Sequence, residues 1–282
     1  MTKLANIEPV EYLIFGHITK DLTPTGPTLG GTPSYSGLTA KAIGLKVGIV
    51  TSWGCDVSLG PLEDIPIINY RADCSTTFEN INTCKGREQI IHHVAEPIKI
   101  DKLPHSWKSP TIVHLGPMFN EVDPAISLQF PKSLIGATPQ GWLRRQNEDG
   151  KITHMERFED LEILKGIQIA IISIEDVNGN ETAIEEIASV CPILVVTEWR
   201  SGARVYWYGD VRHFNAPKVQ EVDSTGAGDI FAAAFLIQFH KTGNPWEAAR
   251  FANIIAANSV SRPGVTGVPT KAEVLKALSE VI

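Results

Sequence analysis

The stretch Asp223-Ser224-Thr225-Gly226-Ala227-Gly228-Asp229 has the residue types and spacing to do chemistry. It runs into the apolar Ile230-Phe231-Ala232-Ala233-Ala234-Phe235, which places the Gly-Ala-Gly run at the start of a helix expected over Ala227–His240. The first N–H groups of a helix have no intrahelical partner, and the macrodipole adds partial positive charge there. Two glycines let the chain turn freely and put no side chain between those amides and a ligand. Gly226, Ala227 and Gly228 therefore suit an anion hole for the charge that develops on a transferring phosphoryl group. Asp229 sits in the first helical turn, where a carboxylate stays ionised and can accept a proton from an alcohol attacking phosphorus. The competing reading is that Asp223, Ser224 and Asp229 only cap the helix.

The elements that must position this stretch alternate between short apolar runs and amphipathic segments. Strands are expected at Tyr12–Phe15, Val47–Thr51, Thr111–Leu115, Ser133–Ala137, Gln168–Ser173 and Ile193–Thr197. Their nearly continuous, β-branched apolar character fits strands buried on both faces. Helices are expected at Ser34–Ile43, Asn180–Val190, Pro245–Ser259 and Lys271–Ile282 besides the one after the motif. The alternation predicts an α/β class with a doubly wound, mainly parallel sheet flanked by helices. Two polar regions, near 17–28 and 65–94, offer no helix; the second has a turn around Cys84-Lys85-Gly86. They read either as a small β-sheet lid over the carboxyl ends of the strands or as ordinary surface hairpins. With no repeat or linker, one domain over 1–282 is expected.

Bulk composition excludes several classes. The 282 residues carry a net charge of −7, which argues against a nucleic-acid or anionic-membrane partner. Phosphates would then be held by backbone amides, a cation and a few basic residues. The four cysteines form no C-x-x-C pair, which fits reduced thiols. No apolar run is long enough to span a bilayer, and Met1–Val10 lacks a leader pattern, so a cytoplasmic location is expected. No G-x-x-x-x-G-K-[ST] is present, and no G-x-G-x-x-G follows the first strand, so P-loop and dinucleotide-binding readings have no support. His92, His93 and His114 lack a ligand-spaced set and read as core or surface histidines.

The 223–231 string resembles the C-terminal signature D-T-x-G-A-G-D-x-F of the PfkB, or ribokinase-like, family of carbohydrate kinases, with Ser224 for Thr. Gly16-His17-Ile18-Thr19-Lys20-Asp21 is similar to the context of that family's substrate-binding Asp. Leu29-Gly30-Gly31-Thr32-Pro33 resembles its Gly-Gly signature, and Gly54-Cys55-Asp56-Val57-Ser58-Leu59-Gly60 its G-x-D-x-x-G turn. Val196-Thr197-Glu198 through Gly202-Ala203 is similar to the strand and turn before the signature, and Asn253 falls where relatives line an adenine pocket. Thr138-Pro139-Gln140-Gly141-Trp142-Leu143-Arg144 resembles the D-x-Q-G-x-x-R string of members near plant myo-inositol kinases. There are departures. Tyr35 stands at a substrate-contacting Asn, Ser173-Ile174-Glu175-Asp176 replaces N-x-x-E, and Trp199 replaces a turn glycine.

The resemblance implies a ribokinase-like kinase that moves the γ-phosphoryl group of ATP to a hydroxyl of a sugar or cyclitol. Asp229 would be the base. Asp21, Gly30, Gly31, Gln140 and Arg144 would contact substrate, and Thr197, Gly202 and Asn253 the nucleotide. Mg2+ would arrive with ATP near Asp176 and Glu175, largely through water, and a monovalent cation is a further candidate. A nucleoside kinase of the same fold and a non-catalytic ligand-binding member remain the alternatives. A monomer or homodimer is expected.

Overall fold

The computed structural model describes residues 8–83 and 86–281. Along the chain run β1 (Tyr12–Phe15), β2 (Thr19–Thr23), β3 (Gly26–Gly30), α1 (Thr32–Ile43), β4 (Val47–Thr51), β5 (Ile67–Asn69), β6 (Thr77–Thr83), β7 (Gly86–His93), β8 (Ile112–Leu115) and β9 (Leu134–Ala137). Then come the ribbon β10 (Arg144–Gln146) and β11 (Ile152–His154), β12 (Ile169–Ser173), α2 (Glu181–Val190), β13 (Ile193–Thr197), β14 (Ala203–Trp207) and β15 (Asp210–Phe214). The chain closes with α3 (Ala227–Thr242), α4 (Pro245–Ser259) and α5 (Lys271–Val281).

Among the described residues, nine strands form one sheet in the order β15-β14-β13-β12-β9-β8-β1-β4-β5. Pairs from β5 through β13 are parallel, and β14 and β15 are added antiparallel. The parallel strands carry the uninterrupted buried runs that two covered faces require, such as Tyr12–Phe15, buried at all four positions. One face packs on α1, α3, α4 and α5, where Ala232, Ala233 and Ala234 let α3 lie close to the sheet. The other face packs on α2 and a run of short 3-10 turns. From β1 the chain builds outward to β5, then returns to β8 on the opposite side of β1. That reversal opens a crevice at the carboxyl ends of β1 and β8, the usual ligand position in such sheets. Among the described residues, no helix is long and apolar enough to cross a membrane.

The small sheet expected as a lid is four-stranded, β3-β2-β6-β7, and its bounds correct the expectation at one end. Residues 67–69 within the expected 65–94 region form β5 and pair with β4 in the main sheet. The short run Ile67-Ile68-Asn69 fits an edge strand of either sheet, so periodicity could not separate the two. The turn expected at Cys84-Lys85-Gly86 has Cys84 and Lys85 outside the described residues, as are residues 1–7 and Ile282. Both roots of the lid meet at His17, which is fully buried. Its Nδ1 lies 2.7 Å from Thr76 Oγ1, before β6, and its Nε2 lies 2.9 Å from the Glu96 carbonyl, after β7.

Glu121 anchors the same corner. Its buried carboxylate accepts from the backbone N–H groups of His17 at 3.0 Å, Met118 at 2.8 Å and Phe119 at 2.7 Å. Each N–H to a charged acceptor contributes about 1.5–3 kcal/mol, and all three donors would be stranded without it. Glu121→Ala is therefore expected to lower unfolding free energy by about 3 kcal/mol or more in urea titrations. An exposed control such as Lys276→Ala should stay within about 0.5 kcal/mol. A loss below about 1 kcal/mol at Glu121 would contradict this account of the corner.

Candidate active site

The 223–229 string folds as read, with one change of role. Gly226, at φ 77°, is the N-cap of α3 and receives no side-chain cap, so the competing reading of Asp223 and Ser224 as caps does not describe them. Asp223 instead knits the loop: its Oδ1 accepts from Thr225 N at 2.9 Å and its Oδ2 from Gly264 N at 2.8 Å. Ala227 N–H turns back to the Ser224 carbonyl at 3.2 Å. That leaves the amides of Gly228 and Asp229 as the first-turn groups that could meet an anion. Gly228 faces open space, with nothing within 4 Å of where a Cβ would stand. Gly226 faces the opposite way and lies directly on the Tyr35 ring. The tyrosine that replaces the family's Asn is thus the floor of the turn.

Asp229 is half-buried in the first turn of α3. Burial pushes its pKa up to about 6; a hydrogen bond from Thr32 and the charge of Arg144 oppose the rise, while Asp176 and Asp21 add to it. Thr32 opens α1, and its hydroxyl also lies 3.4 Å from the Met118 sulfur. Its single proton goes to the carboxylate, the stronger acceptor. The sequence had offered residues 29–33 only as a Gly-Gly turn, and no signal in it marked Thr32.

Arg144 begins β10 and is buried. Its Nη1 donates to the Met118 carbonyl at 2.9 Å and its Nη2 to Gln140 Oε1 at 3.0 Å, and its guanidinium stands 5.6 Å from the centre of the Phe78 ring. Gln140, expected to contact substrate, therefore serves first as a holder of Arg144. Asp176 is buried, with a pKa raised to about 6 by burial against a hydrogen bond from Ser173 N and the Arg144 charge. Its Oδ2 accepts that N–H at 2.8 Å in a capping box, and neighbouring Glu175 is exposed. Asp21, on β2, accepts from Thr19 Oγ1 at 2.8 Å. A Cβ on Gly30 would overlap the Asp21 carboxylate, so Gly30 is what lets the lid strand approach. Gly31, at φ 87°, caps α1. Asp21, Asp176, Asp229 and Arg144 thus share one electrostatic neighbourhood at the carboxyl ends of the strands.

The residues expected to meet a nucleotide lie at the end of β13, in the turn into β14 and on α4. Thr197 ends β13 and donates to the Ile172 carbonyl at 3.2 Å, and Gly202, at φ 102°, closes the turn into β14. Asn253 on α4 donates to the Phe214 carbonyl at 2.9 Å. It lines a cavity of about 340 Å³ with Phe214, Asn215, Arg250 and Ile254. Trp199, where relatives carry glycine, is 55% exposed at φ 54°.

The Gly226 geometry is sharply testable. An alanine there would need a left-handed backbone and would strike Tyr35, costs of about 1–3 kcal/mol for the backbone alone. Gly226→Ala is expected to lower the melting temperature, whereas Gly228→Ala, with open space before it, should leave it nearly unchanged. Equal melting temperatures for the two variants would refute the packing of Tyr35 beneath the turn.

Comparison with known proteins bears on the fold and on the segment around Asp229. The model of the pfkB family carbohydrate kinases matches residues 158–271. An inositol 3-kinase of Zea mays is 28% identical over 144 residues, which span 51% of this chain and 37% of that kinase. The chain thus matches little more than a third of that relative's length. A cytidine kinase of Thermococcus kodakarensis is 25% identical over 84% of this chain and 91% of its own. A pyrophosphate-dependent kinase in the ribokinase family, solved with a pyrophosphate analog and myo-inositol, superposes with a TM-score of 0.77 at 21% identity. That superposition covers 94% of this chain and 99% of that one. The chain thus has the ribokinase fold along its length and is similar to the pfkB family carbohydrate kinases across the segment bearing Asp229.

Proposed function

We propose that the chain transfers the terminal phosphoryl group of ATP to a hydroxyl of a polyol, with cyclitols such as myo-inositol the first acceptors to test. The observation that carries this reading is Asp229 in the first turn of α3, beside open amides and within the field of Arg144. A carboxylate with a pKa near 6 is ionised at neutral pH yet basic enough to take a proton from the attacking hydroxyl. The amides of Gly228 and Asp229 and the guanidinium of Arg144 would offset the charge on the transferring group. Asp21, reaching from the lid, would accept hydrogen bonds from the other hydroxyls, and the lid would keep water from the phosphoryl group.

A magnesium ion fits this donor set only in part. Among the described residues, no group of three or more His, Cys, Asp or Glu could hold a metal. That suits an ion held mainly by phosphates and water, with Asp176 and Glu175 as the nearby carboxylates. When bound, the ion would neutralise phosphate charge. A nucleoside acceptor is the second reading, favoured by the length of the match to the cytidine kinase. Release of ADP or phosphate should be measured with ATP or pyrophosphate across inositols, sugars and nucleosides. Turnover with ATP and a cyclitol or sugar is expected. Turnover with pyrophosphate alone would overturn the ATP donor, and a nucleoside-only profile would overturn the acceptor.

Two predictions bear on Asp229. Asp229→Asn should lower kcat by about two to four orders of magnitude with KM little changed. Its folded pKa is raised, so the acid contributes stability below the unfolded value of 3.8 that is lost as pH rises through about 6. At pH 8 the variant should therefore melt no lower than the parent. A helix-capping role predicts a lower melting temperature with turnover retained.

The pH profile supplies the second check. Because the base must be ionised, kcat/KM should fall as pH drops through about 6. Asp176 raises the Asp229 pKa, so Asp176→Asn should move that limb to lower pH. Arg144 lowers it, so Arg144→Met should move the limb upward in whatever activity remains. An unmoved limb in both variants would remove Asp229 from the titration.

A further inference from the structure

A line of polar side chains crosses the apolar layer between the sheet and helices α1 and α3. Thr138 Oγ1 lies 3.1 Å from His114 Nε2, and His114 Nδ1 lies 2.7 Å from the Tyr12 hydroxyl. Ser36 engages the same hydroxyl, and Ser36 Oγ donates to the backbone carbonyl of Asp229 at 2.9 Å. Tyr12, His114 and Ser36 are fully buried and Thr138 nearly so, among Ile14, Ile112 and Phe231. Tyr12 and His114 are 102 residues apart in the chain, and Ser36 and Asp229 are 193 apart.

The protons in this line have one arrangement that satisfies every group. Burial holds the His114 pKa down at about 3, so the ring is neutral and carries one N–H. Ser36 gives its only proton to the Asp229 carbonyl, so its oxygen must accept from Tyr12. Tyr12 has then used its proton and must accept from His114 Nδ1–H. Nε2 is left bare and accepts from Thr138. Each group donates once and every donor points toward Asp229. A half-satisfied chain in this layer would be costly, since buried polar groups are tolerated only when paired.

The two ends of the line matter for the chemistry. Thr138 opens the turn Pro139–Trp142 that delivers Arg144, and the Asp229 carbonyl belongs to the first turn of α3. We infer that Tyr12 and His114 are positioning residues, which fix the base-bearing turn against the Arg144 loop through the Thr138–His114–Tyr12–Ser36–Asp229 line. This rests on the reading of Asp229 as the base. Neither residue touches substrate in this account. A fixed geometry of this kind acts on the transferring state more than on binding.

Tyr12→Phe removes one hydroxyl at nearly constant shape. It is expected to lower kcat tenfold or more, with KM for donor and acceptor within about twofold. Ser36→Ala should do the same, and the double variant should be no slower than the slower single one, since both cut one line. Amide exchange at Gly228–Ile230 should quicken in each variant while α4 stays protected. If Tyr12→Phe does not fold, Thr138→Val severs the far end and serves in its place. A Tyr12→Phe enzyme with kcat within twofold of the parent, or additive losses that follow the fall in melting temperature, would overturn the inference. Should Asp229→Asn turn over normally, the assignment of the base fails instead. The exchange measurement needs no substrate and still judges the line, with unchanged first-turn exchange counting against it.

Discussion

Arg144 sits where three carboxylates, Asp21, Asp176 and Asp229, come within electrostatic reach of one another. Like charges gathered in a partly dry crevice repel, and a counter-charge that could swing away would leave them free to protonate or push apart. The guanidinium is therefore fixed, by the Met118 carbonyl, by Gln140 and by the face of Phe78. The loop that holds Met118 is in turn fixed by Glu121, which also grips the root of the lid through His17. A buried anion thus organises the backbone that organises the cation, which lowers the pKa of Asp229.

The helix start must meet this arrangement with equal precision. Its outer side is bare at Gly228, and its underside rests on Tyr35. A family position that elsewhere carries an amide side chain is here given to an aromatic ring. The ring gives the turn a rigid support.

Much of this was legible in the sequence because it is local. The strands at Tyr12–Phe15, Val47–Thr51 and Ile193–Thr197 and the helix at Pro245–Ser259 lie where apolar runs and Gly/Pro punctuation put them. The turn at Gly226 was visible because glycines, an acid and an apolar helix follow in unbroken order. Long-range partners left no such trace. Nothing near Thr32 announces Asp229, and nothing near Tyr12 announces His114. Strand β5 was assigned to the lid because a run as short as Ile67-Ile68-Asn69 does not say which sheet it joins. The roles of Gln140 and Asp223 shifted because a polar residue in a motif shows that it is needed, not whether it meets ligand or another side chain.

The rooting of the lid at His17 has an architectural consequence. Strands β2 and β6 leave the main body beside one another and run parallel, and β7 returns to the same imidazole. A leaf hung from one pivot can be lengthened, shortened or redecorated at its free end while its axis of attachment stays put. The scaffold thereby separates the outer ends of these strands, which can vary, from the buried corner that holds their axis.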